Sequence, residues 1–362
     1  AQSTTNQPQP RNTIKMDGTR YAFITEWVDT IASQVRKYTV CFYPSDNSVE
    51  MIDNKQKKLM LRRTVVGNKL NEFFIGGAVT IYGRQLKITD YGDDYTRSQL
   101  GNKLERTLML VKSDGITKLA DILCTIGEAQ DLEVVAVRMI ELSAGDVNEL
   151  ACDVNVGKAV AVEIVGPNAI AEVQALAGPA DPSKARSEAP GSIRARFGTD
   201  ASSNAVHVSE SDSNATHELK LFFEKRRGRT CSLMTSDSVL CVVKPSYFMR
   251  SGVTLGTVLK EIATSGYAIS GLSTRTLSRS DAQEFLEVYK GVVQEYIGMV
   301  DELTSGPCVA LEITGAGARE NFRSFCGPSD PAIAKQLRPD TLRAKFGVDK
   351  VNNALHCTDL PE

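Results

Sequence analysis

The sequence predicts an α+β protein with a small N-terminal all-β (barrel-like) module followed by two ferredoxin-like (split βαβ) domains. Two observations carry this prediction: short β-branched and aromatic runs fill the first part of the chain, and one later passage occurs twice within the same order of strands and helices. The predicted boundaries are a polar arm at 1–18, a β-rich module at 19–100, one repeat at 104–224, a linker at 225–236 and a second repeat at 237–362.

Composition narrows the class of protein. A chain of 362 residues with 42% hydrophobic and 24% charged residues is typical of a soluble protein of two to three domains. The net charge of −2 gives no general attraction to nucleic acid or to an anionic membrane, and no apolar run approaches the roughly 18 residues of a membrane span. The eight cysteines lack CxxC spacing, which predicts reduced intracellular thiols rather than disulfides or a zinc site.

The N-terminal part is predicted to be a binding or scaffolding module. Residues 1–18 are polar and rich in Pro, Gln and Asn, which predicts an extended or disordered arm. Tyr38–Tyr43 and Val49–Ile52 flank the turn sequence PSDN and predict a hairpin. Trp27 is expected before the first strand, where it helps to close the core. Further strands are predicted at Lys58–Val66, Phe73–Ile75, Val79–Tyr82 and Gln85–Thr89.

One passage occurs twice and points to chemistry. Residues 178–207 run from GPADP through SIRARFG to NAVH, and residues 327–356 run from GPSDP through TLRAKFG to NALH. The chain has only three histidines, and two of them end these copies. Packing alone does not explain a duplicated Arg…Asn-x-x-His. The equivalent pairs are Arg194 and Arg343, Asn204 and Asn353, and His207 and His356.

The two repeats differ in length at one place. Each is predicted to open with a strand ending in Val-Lys, followed by an amphipathic helix and two more strands. Ser143 matches Ser278 and Glu163 matches Glu312, and the interval between these matched positions is shorter in repeat one. Repeat one therefore lacks a segment that repeat two has. Repeat two is predicted to form two short helices there, at 281–289 and 292–303.

Lys112 and Lys244, the GPxDP loop and the duplicated Arg…Asn-x-x-His resemble the nucleoside diphosphate kinase family over about residues 104–223 and 237–362. The β-rich module ahead of two repeats resembles the ciliary type within that family, whose first domain is a DM-type module of axonemal proteins. The resemblance implies a place in the cytoplasm and cytoskeleton, in the axoneme of a cilium or flagellum. It also implies contacts with tubulin and other doublet microtubule proteins, as a microtubule inner protein, and a link to gamma-tubulin complexes.

The resemblance further implies a reaction. The family moves the γ-phosphate of ATP or GTP to a histidine and then to a nucleoside diphosphate, in two covalent steps. A neutral imidazole is the nucleophile, and lysine, arginine and Mg²⁺ stabilise the phosphoryl charge. Mg²⁺ is held through the nucleotide phosphates rather than by a protein metal site. The family's Asn contacts the ribose, a Tyr lies near the phosphate, an aromatic stacks on the base, and a Glu that follows the histidine orients the ring.

Repeat two matches most of this pattern, and His356 is its candidate nucleophile. Tyr296 is the candidate for the base-stacking aromatic. The sequence given ends at Glu362, soon after His356, so the ring-orienting Glu is missing, and Cys357 replaces the usual Gly. Two alternatives fit this sequence. The second repeat either transfers phosphate weakly, or its pocket is a relic or binds nucleotide for structure alone. The matching nucleotide-binding residues are Lys244, Tyr289, Arg323, Ser329 in place of the usual Thr, Arg343 and Asn353.

Repeat one departs further from the family pattern and is predicted to be inactive. Gln174 replaces the second arginine, Ala180 replaces a hydroxyl that contacts phosphate, and Val208 follows the histidine. Each lost phosphate contact is expected to cost about 2–4 kcal/mol in the transition state. The segment missing from this repeat would be the nucleotide lid. The residues that still match are Lys112, Arg194, Asn204, His207 and Glu218.

Three classes of function follow from the sequence. The first is a ciliary structural protein, because two fused and unequal repeats predict a built-in pseudo-dimer that offers different faces to different partners. The second is an active nucleoside diphosphate kinase that works through phospho-His356. Nucleic-acid binding is a distant third, because charge is balanced and basic and aromatic residues do not alternate. The basic run Lys225–Arg229 is interpreted as a solvated linker, with contact to the acidic surface of tubulin or to a phosphate as the alternative.

Overall fold

The computed structural model describes residues 19–29, 34–101, 104–129, 131–150, 154–225, 228–232, 237–250 and 255–358. The predicted arm at 1–18 lies outside these ranges. By its internal contacts the chain divides into two compact units, one of residues up to 77 together with 87–98 and one of 78–86 together with 99–362. The α+β class is confirmed. Within the described ranges, no helix combines the length and the apolar character needed to cross a membrane.

The N-terminal strands form an antiparallel six-stranded sheet, an open half-barrel, in the order β4-β3-β2-β1-β6-β5. The predicted hairpin is confirmed: Tyr43 pairs with Ser48 across the turn, where Asn47 adopts a left-handed conformation with φ of 50°. The elements are β1 (Tyr21–Asp29), β2 (Gln34–Tyr43), β3 (Ser48–Asp53), β4 (Lys58–Val65), β5 (Ala78–Ile81), β6 (Arg84–Tyr91) and α1 (Asp94–Leu100).

Two predictions for this sheet are wrong. Trp27 lies within β1, a strand that the sequence patterns did not reveal, and its side chain is half-buried. Phe73–Ile75 is not a strand; it follows a single 3₁₀ turn, Leu70–Glu72, whose N-cap residue Lys69 donates its backbone N–H to the Glu72 carboxylate. Phe73 instead packs between Phe23 and Phe42, with ring centroids 5.1 and 4.9 Å away. Its aromatic character reflects core packing rather than strand pairing.

The first repeat follows the predicted order of elements. After β7 and a 3₁₀ turn comes the amphipathic helix α2, whose apolar side chains are buried in the core. Helix α7 ends in one π-helical turn at Lys220–Glu224. The elements are β7 (Glu105–Val111), α2 (Leu119–Glu128), β8 (Glu133–Leu142), α3 (Ala144–Leu150), β9 (Gly157–Gly166), α4 (Ala169–Ala177), α5 (Pro182–Glu188), α6 (Ile193–Phe197), β10 (Val206–Val208), α7 (Asp212–Leu219) and β11 (Arg229–Thr230).

Between its matched serine, Ser278, and the next strand, the second repeat contains one helix more than the described residues of the first repeat do after Ser143. Helix α10, a 3₁₀ turn at Glu287–Tyr289 and helix α11 fill the predicted insertion, and α11 begins at Tyr296, later than predicted. The elements are β12 (Val239–Val243), α8 (Pro245–Phe248), α9 (Leu255–Thr264), β13 (Ala268–Thr276), α10 (Arg279–Phe285), α11 (Tyr296–Leu303), β14 (Pro307–Thr314), α12 (Ala318–Cys326), α13 (Pro331–Leu337), α14 (Leu342–Phe346) and β15 (Leu355–Cys357).

Both repeats contribute to one antiparallel sheet, in the order β10-β7-β9-β8-β13-β14-β12-β15, with β11 also paired to β8. The two halves have mirrored strand orders. They join where Arg138 of β8 pairs with Ser273 of β13. These residues occupy equivalent positions, at the same distance along the chain before the matched serines Ser143 and Ser278. A pseudo-two-fold axis therefore passes through this strand pair, as in an isologous dimer.

Helices α2 and α9 cross at the same axis. Ala120 and Gly256 each follow the first residue of their helix, and a Cβ on Gly256 would lie only 2.5 Å from the Ala120 carbonyl oxygen. Only a glycine permits this close approach of two backbones. Lys260 adds an ion pair of 2.9 Å to Asp121. The predicted pseudo-dimer is thus present within the single chain.

Part of the predicted linker is ordered against the first repeat. Arg229 and Thr230 form β11, which pairs with Glu141 and Ile140 of β8. The buried Arg138 guanidinium donates hydrogen bonds to the carbonyls of Phe222 at 2.9 Å and of Gly228 at 2.8 Å. The side chains of Arg229 and Thr230 are exposed, as expected of a solvated linker, and only the pairing of β11 was not predicted. The sequence pattern missed it because so short a strand shows no periodicity.

Candidate functional site

The GPxDP loop is built identically in both repeats. Gly327 ends α12 with φ of 86°, a conformation that favours glycine, and a Cβ there would lie 2.3 Å from Thr341 Oγ1. The Asp330 carboxylate accepts a hydrogen bond from Ala332 N at 2.9 Å and caps α13, with Pro331 in its first turn. Gly178, Asp181 and Pro182 repeat this arrangement before α5. Helix capping thus explains most of the motif.

The duplicated arginine, buried at position 343 and half-buried at position 194, holds backbone carbonyls in place. The Arg343 guanidinium donates hydrogen bonds to the Gly327 carbonyl at 2.7 Å and to the Leu355 carbonyl at 3.2 Å. Arg194 makes the matching bonds to Gly178 at 2.6 Å and to Val206 at 3.1 Å. Each arginine therefore ties the GPxDP loop to the strand that carries the histidine, and Arg343 also places positive charge near the imidazole of His356.

The duplicated asparagine leaves one acceptor atom unused. Asn353 donates from Nδ2 to the Ser329 carbonyl at 2.9 Å, and Asn204 donates to the Ala180 carbonyl at 3.0 Å. Both residues are buried, and their Oδ1 atoms have no hydrogen-bond partner within the described structure. A buried acceptor without a partner is costly, so a ligand donor such as a sugar hydroxyl fits it.

The backbone between asparagine and histidine is strained in both copies. Ala354 and Ala205 adopt φ of 70° and 67°, which is rare for a residue with a Cβ. Their carbonyls accept hydrogen bonds from the backbone N–H of Lys244 at 2.9 Å and of Lys112 at 2.8 Å. This left-handed turn brings the lysine strand beside the histidine strand. Strain of this kind occurs often at functional sites.

Lys244 follows β12 and lies buried beside this turn. Its Nζ donates a hydrogen bond to the Val351 carbonyl at 2.8 Å. Burial lowers its pKa to about 8, the charge of Glu302 opposes this change, and Arg343 adds to it. A phosphate that approached this ammonium would favour its protonated form. Lys112 is likewise buried at the end of β7.

His356 lies on β15, opposite Val242 of β12. Burial, together with the positive charges of Lys244, Arg343 and Arg323, lowers its pKa to about 3. The imidazole is therefore neutral at physiological pH and keeps a lone pair for attack on phosphorus. No hydrogen bond to its ring is found among the described residues. The rings of Phe285 and Tyr289 lie edge-on to it, with centroids 5.0 and 5.9 Å away.

His207, in contrast, has the acid partner that the resemblance implied. Its Nε2 lies 2.8 Å from Glu218 Oε1, and Ser209 Oγ donates to Glu218 Oε2 at 2.6 Å. Because a carboxylate accepts, Nε2 carries the hydrogen of this bond. Gln174, which replaces an arginine, donates to the Ser209 carbonyl at 3.0 Å. The first repeat thus has an oriented histidine but fewer cationic side chains beside it.

A lid, which has no complete equivalent among the described residues of the first repeat, covers the second site. It consists of α10, the 3₁₀ turn with Tyr289, and α11. Lys350, in the loop before Asn353, forms an ion pair of 3.3 Å with Glu295 at the start of α11. Tyr296, the predicted base-stacking residue, packs instead against a buried apolar cluster that contains Val300. In repeat one, α3 occupies the corresponding position.

The remaining predicted residues lie at the rim. Arg323 is in the last turn of α12 and Ser329 is in the loop after it, and both side chains are exposed. The structure therefore brings Lys244, Arg343 and His356 together inside the pocket and leaves these two residues at its edge. Both positions remain compatible with contact to phosphate.

Sequence reasoning missed two features of the second site. The Glu295–Lys350 pair gave no signal, because its members are far apart in sequence and their types are common on surfaces. Three buried thiols also lie behind His356: Cys241 pairs with Cys357 across the strands, and Cys326 contacts both. The hydrogen bond with Cys326 and then burial raise the pKa of the Cys357 thiol, so it is inert at neutral pH.

Comparison with known proteins gives consistent matches. Residues 105–227 and 237–362 match the family described as Nucleoside diphosphate kinase. The chain is 43% identical to Nucleoside diphosphate kinase homolog 7 of Rattus norvegicus, over 96% of this chain and 91% of that protein. The corresponding protein of Mus musculus is 42% identical over the same shares. A crystal structure of the Aquifex aeolicus nucleoside diphosphate kinase is 31% identical and covers 34% of this chain and 86% of its own, with a TM-score of 0.32.

Proposed function

Because the chain belongs to the nucleoside diphosphate kinase family, we propose that it is a ciliary structural protein with a nucleotide-binding site in its second repeat. One observation carries the nucleotide site: the Oδ1 of Asn353 is buried without a partner among the described residues, beside the buried ammonium of Lys244. An acceptor for a sugar hydroxyl and a cation for phosphate are the two groups that a nucleotide requires. The lid supplies a cover for this ligand.

Support for the structural role comes from the architecture. The two repeats share one sheet and one helix pair. The single chain therefore already contains the contact that two separate subunits would form in a dimer. The two sites are unequal, since one has the lid and the other has the oriented histidine. Such a chain presents different faces to different neighbours. The proposed neighbours are tubulin and other proteins of the axonemal doublet, with gamma-tubulin complexes as a further partner.

Mg²⁺ is proposed to accompany the nucleotide rather than to have its own protein site. Among the described residues, no group of three or more His, Cys, Asp or Glu side chains is arranged to hold a metal ion. The side chains nearest His356 include Lys244, Arg343 and Arg323, which suit phosphate oxygens. Bound to those phosphates, Mg²⁺ would supply additional charge neutralisation.

The alternative function is phosphotransfer between nucleotides through phospho-His356. The observation that favours it is the neutral imidazole, which lies close to three cations that would stabilise a transferring phosphoryl group. Within the described residues, this ring lacks the carboxylate that orients His207.

Titration of the full chain with Mg-ATP and labelling with γ-labelled nucleotide distinguish these functions. The structural proposal expects ATP binding that is lost in Asn353→Leu, with little acid-labile label. Asn204→Leu is the matched control, since it alters the same atom in the repeat without a lid and should leave most ATP binding unchanged. Strong label that disappears in His356→Gln but persists in His207→Gln would establish the alternative. Absence of ATP binding would contradict the nucleotide site.

Co-sedimentation with purified axonemal doublets tests the ciliary role independently of nucleotide. The full chain should pellet with doublets, and a tagged copy should localise along axonemes in ciliated cells. If the protein neither pellets nor localises in this way, the structural role is wrong, whatever the outcome of the nucleotide experiments.

A further inference from the structure

Strand β4 forms one edge of the N-terminal sheet and is unusually open. In the described structure its only strand neighbour is β3, so its other edge has no strand partner. Most of its side chains are exposed and the others are half-buried, so neither face of the strand is covered. A long exposed edge is a template for pairing with another extended segment.

Strand β4 and the turn that precedes it carry a concentrated positive charge. Residues 54–66 contain several Lys and Arg side chains and no Asp or Glu. Arg63 is used within the module, with an ion pair of 2.9 Å to Asp46 and its guanidinium 3.9 Å from the centroid of the Tyr43 ring. The other four cations have no ion pair among the described residues. They are Lys55, Lys57, Lys58 and Arg62.

Apolar side chains lie between these cations. Leu59, Met60 and Val65 are 48%, 46% and 67% exposed. Lysines alone would serve to keep an edge from pairing, but exposed apolar residues on the same strand have the opposite effect. The combination suits a partner strand that offers both acidic and apolar side chains, because strand side chains alternate between the two faces.

Charge argues against two simple occupants of the β4 edge, a second copy of this chain and the N-terminal arm. A second copy of this chain would place one basic edge against another, which is unfavourable. The N-terminal arm at 1–18 carries Arg11 and Lys15 against Asp17, so it does not supply acidic charge. Residues 54–66 contain no aromatic side chain, so the edge lacks the stacking platform typical of single-stranded nucleic-acid sites.

We propose that the β4 edge is a docking surface for an extended acidic segment of a partner protein, which adds to the sheet as a further strand. Backbone hydrogen bonds to β4 supply the register, and the four cations without ion pairs in the described structure select acidic side chains. This inference does not depend on nucleotide binding or on a ciliary location.

The test uses a short fluorescent peptide in which Glu alternates with Val, added to the full chain and followed by anisotropy. We expect binding that weakens with added salt and that weakens roughly tenfold in Lys57→Glu/Lys58→Glu. The matched control is Lys118→Glu/Lys220→Glu, which makes the same change in net charge at exposed positions of the first repeat and should alter binding less than twofold. Equal binding by both variants would place the peptide elsewhere.

N-methylated peptides test the strand pairing itself. Methylation of alternate amides on one edge of the peptide should abolish binding, whereas methylation on the other edge should preserve it, because only one edge faces β4. If both methylated peptides bind like the parent, the contact is electrostatic alone and the proposal is wrong. Tighter binding of a single-stranded oligo-dT at the same surface would also overturn it.

Discussion

Two histidines with the same sequence context have different surroundings. His207 faces the Glu218 carboxylate, whereas His356 faces the rings of Phe285 and Tyr289 and nearby cations. The local strand and the left-handed alanine before it are the same in both repeats. The chemistry of each imidazole is therefore set by residues brought in from other elements.

The low pKa of His356 predicts a pH-dependent stability. Its pKa in the folded state, about 3, lies below its ordinary value near 6.5, so only the unfolded chain takes up a proton as the pH falls through 6.5. The stabilisation is complete above pH 6.5 and is lost progressively toward pH 3. When the pH falls from 8 to 5, the unfolding free energy of the parent should therefore decrease by about 2 kcal/mol more than that of His356→Gln.

Urea denaturation at the two pH values, with hydrogen exchange of the β12 and β15 amides, measures this difference. The parent and the variant are compared at each pH, so that other titrating groups cancel. Equal losses in the two proteins would mean that His356 takes up its proton without unfolding, and that it is less buried than the structure indicates.

At the scale of elements, the lid is the main difference between the repeats. It is fastened to the loop before Asn353 by the Glu295–Lys350 ion pair, and a Cβ on Gly298 would lie 3.1 Å from Val351 Cγ2. Lys244 donates to the carbonyl of this same Val351. The lid, the loop and the lysine proposed to bind phosphate are therefore physically linked.

Lys350→Ala should loosen the lid. The ion pair is partly exposed and stabilises by about 0.2–1 kcal/mol, so hydrogen exchange of the α10 and α11 amides should rise by about 1.4- to fivefold. Lys345→Ala is the matched control, because it removes a similarly exposed ion pair with Glu261, outside the lid. Unchanged exchange in Lys350→Ala, or an equal rise in both variants, would show that the ion pair does not hold the lid.

At the scale of the whole molecule, the pairing of the repeats depends on one close helix crossing. Gly256→Ala places a methyl group 2.5 Å from the Ala120 carbonyl oxygen, which α2 cannot avoid without moving. Gly145→Ala, in helix α3, places its methyl group 3.7 Å from the nearest atom. Both substitutions gain helix propensity, so their difference isolates the crossing.

We expect Gly256→Ala to destabilise by about 1–3 kcal/mol through overpacking, whereas Gly145→Ala should be neutral or slightly stabilising. Thermal unfolding of the two variants measures the difference, and limited proteolysis between the repeats shows whether their pairing has loosened. Equal stability of the two variants would mean that the crossing adjusts at little cost.

The sequence predicted much of the fold, for identifiable reasons. The hairpin of β2 and β3, the repeated strands and helices and the two lid helices follow from periodicity, turn residues and the offset between copies, which are all local signals. It failed at Trp27 and at Phe73–Ile75, where aromatic residues serve tertiary packing. Strand β11 was missed for a similar reason, because its position depends on contacts with Arg138 and with the edge of β8.

The candidate site, like the fold, could be predicted from the sequence only in part. Lysine, arginine, asparagine and histidine were identifiable from the duplicated motif because capping, glycine geometry and chemistry impose their spacing along the chain. Contacts between distant segments decided the rest: which aromatic rings face His356, which carbonyls each arginine holds, and which ion pair closes the lid. The residue types and their order thus came from the chain alone, whereas burial and the charges facing each group exist only after folding, because they depend on atoms far apart in sequence.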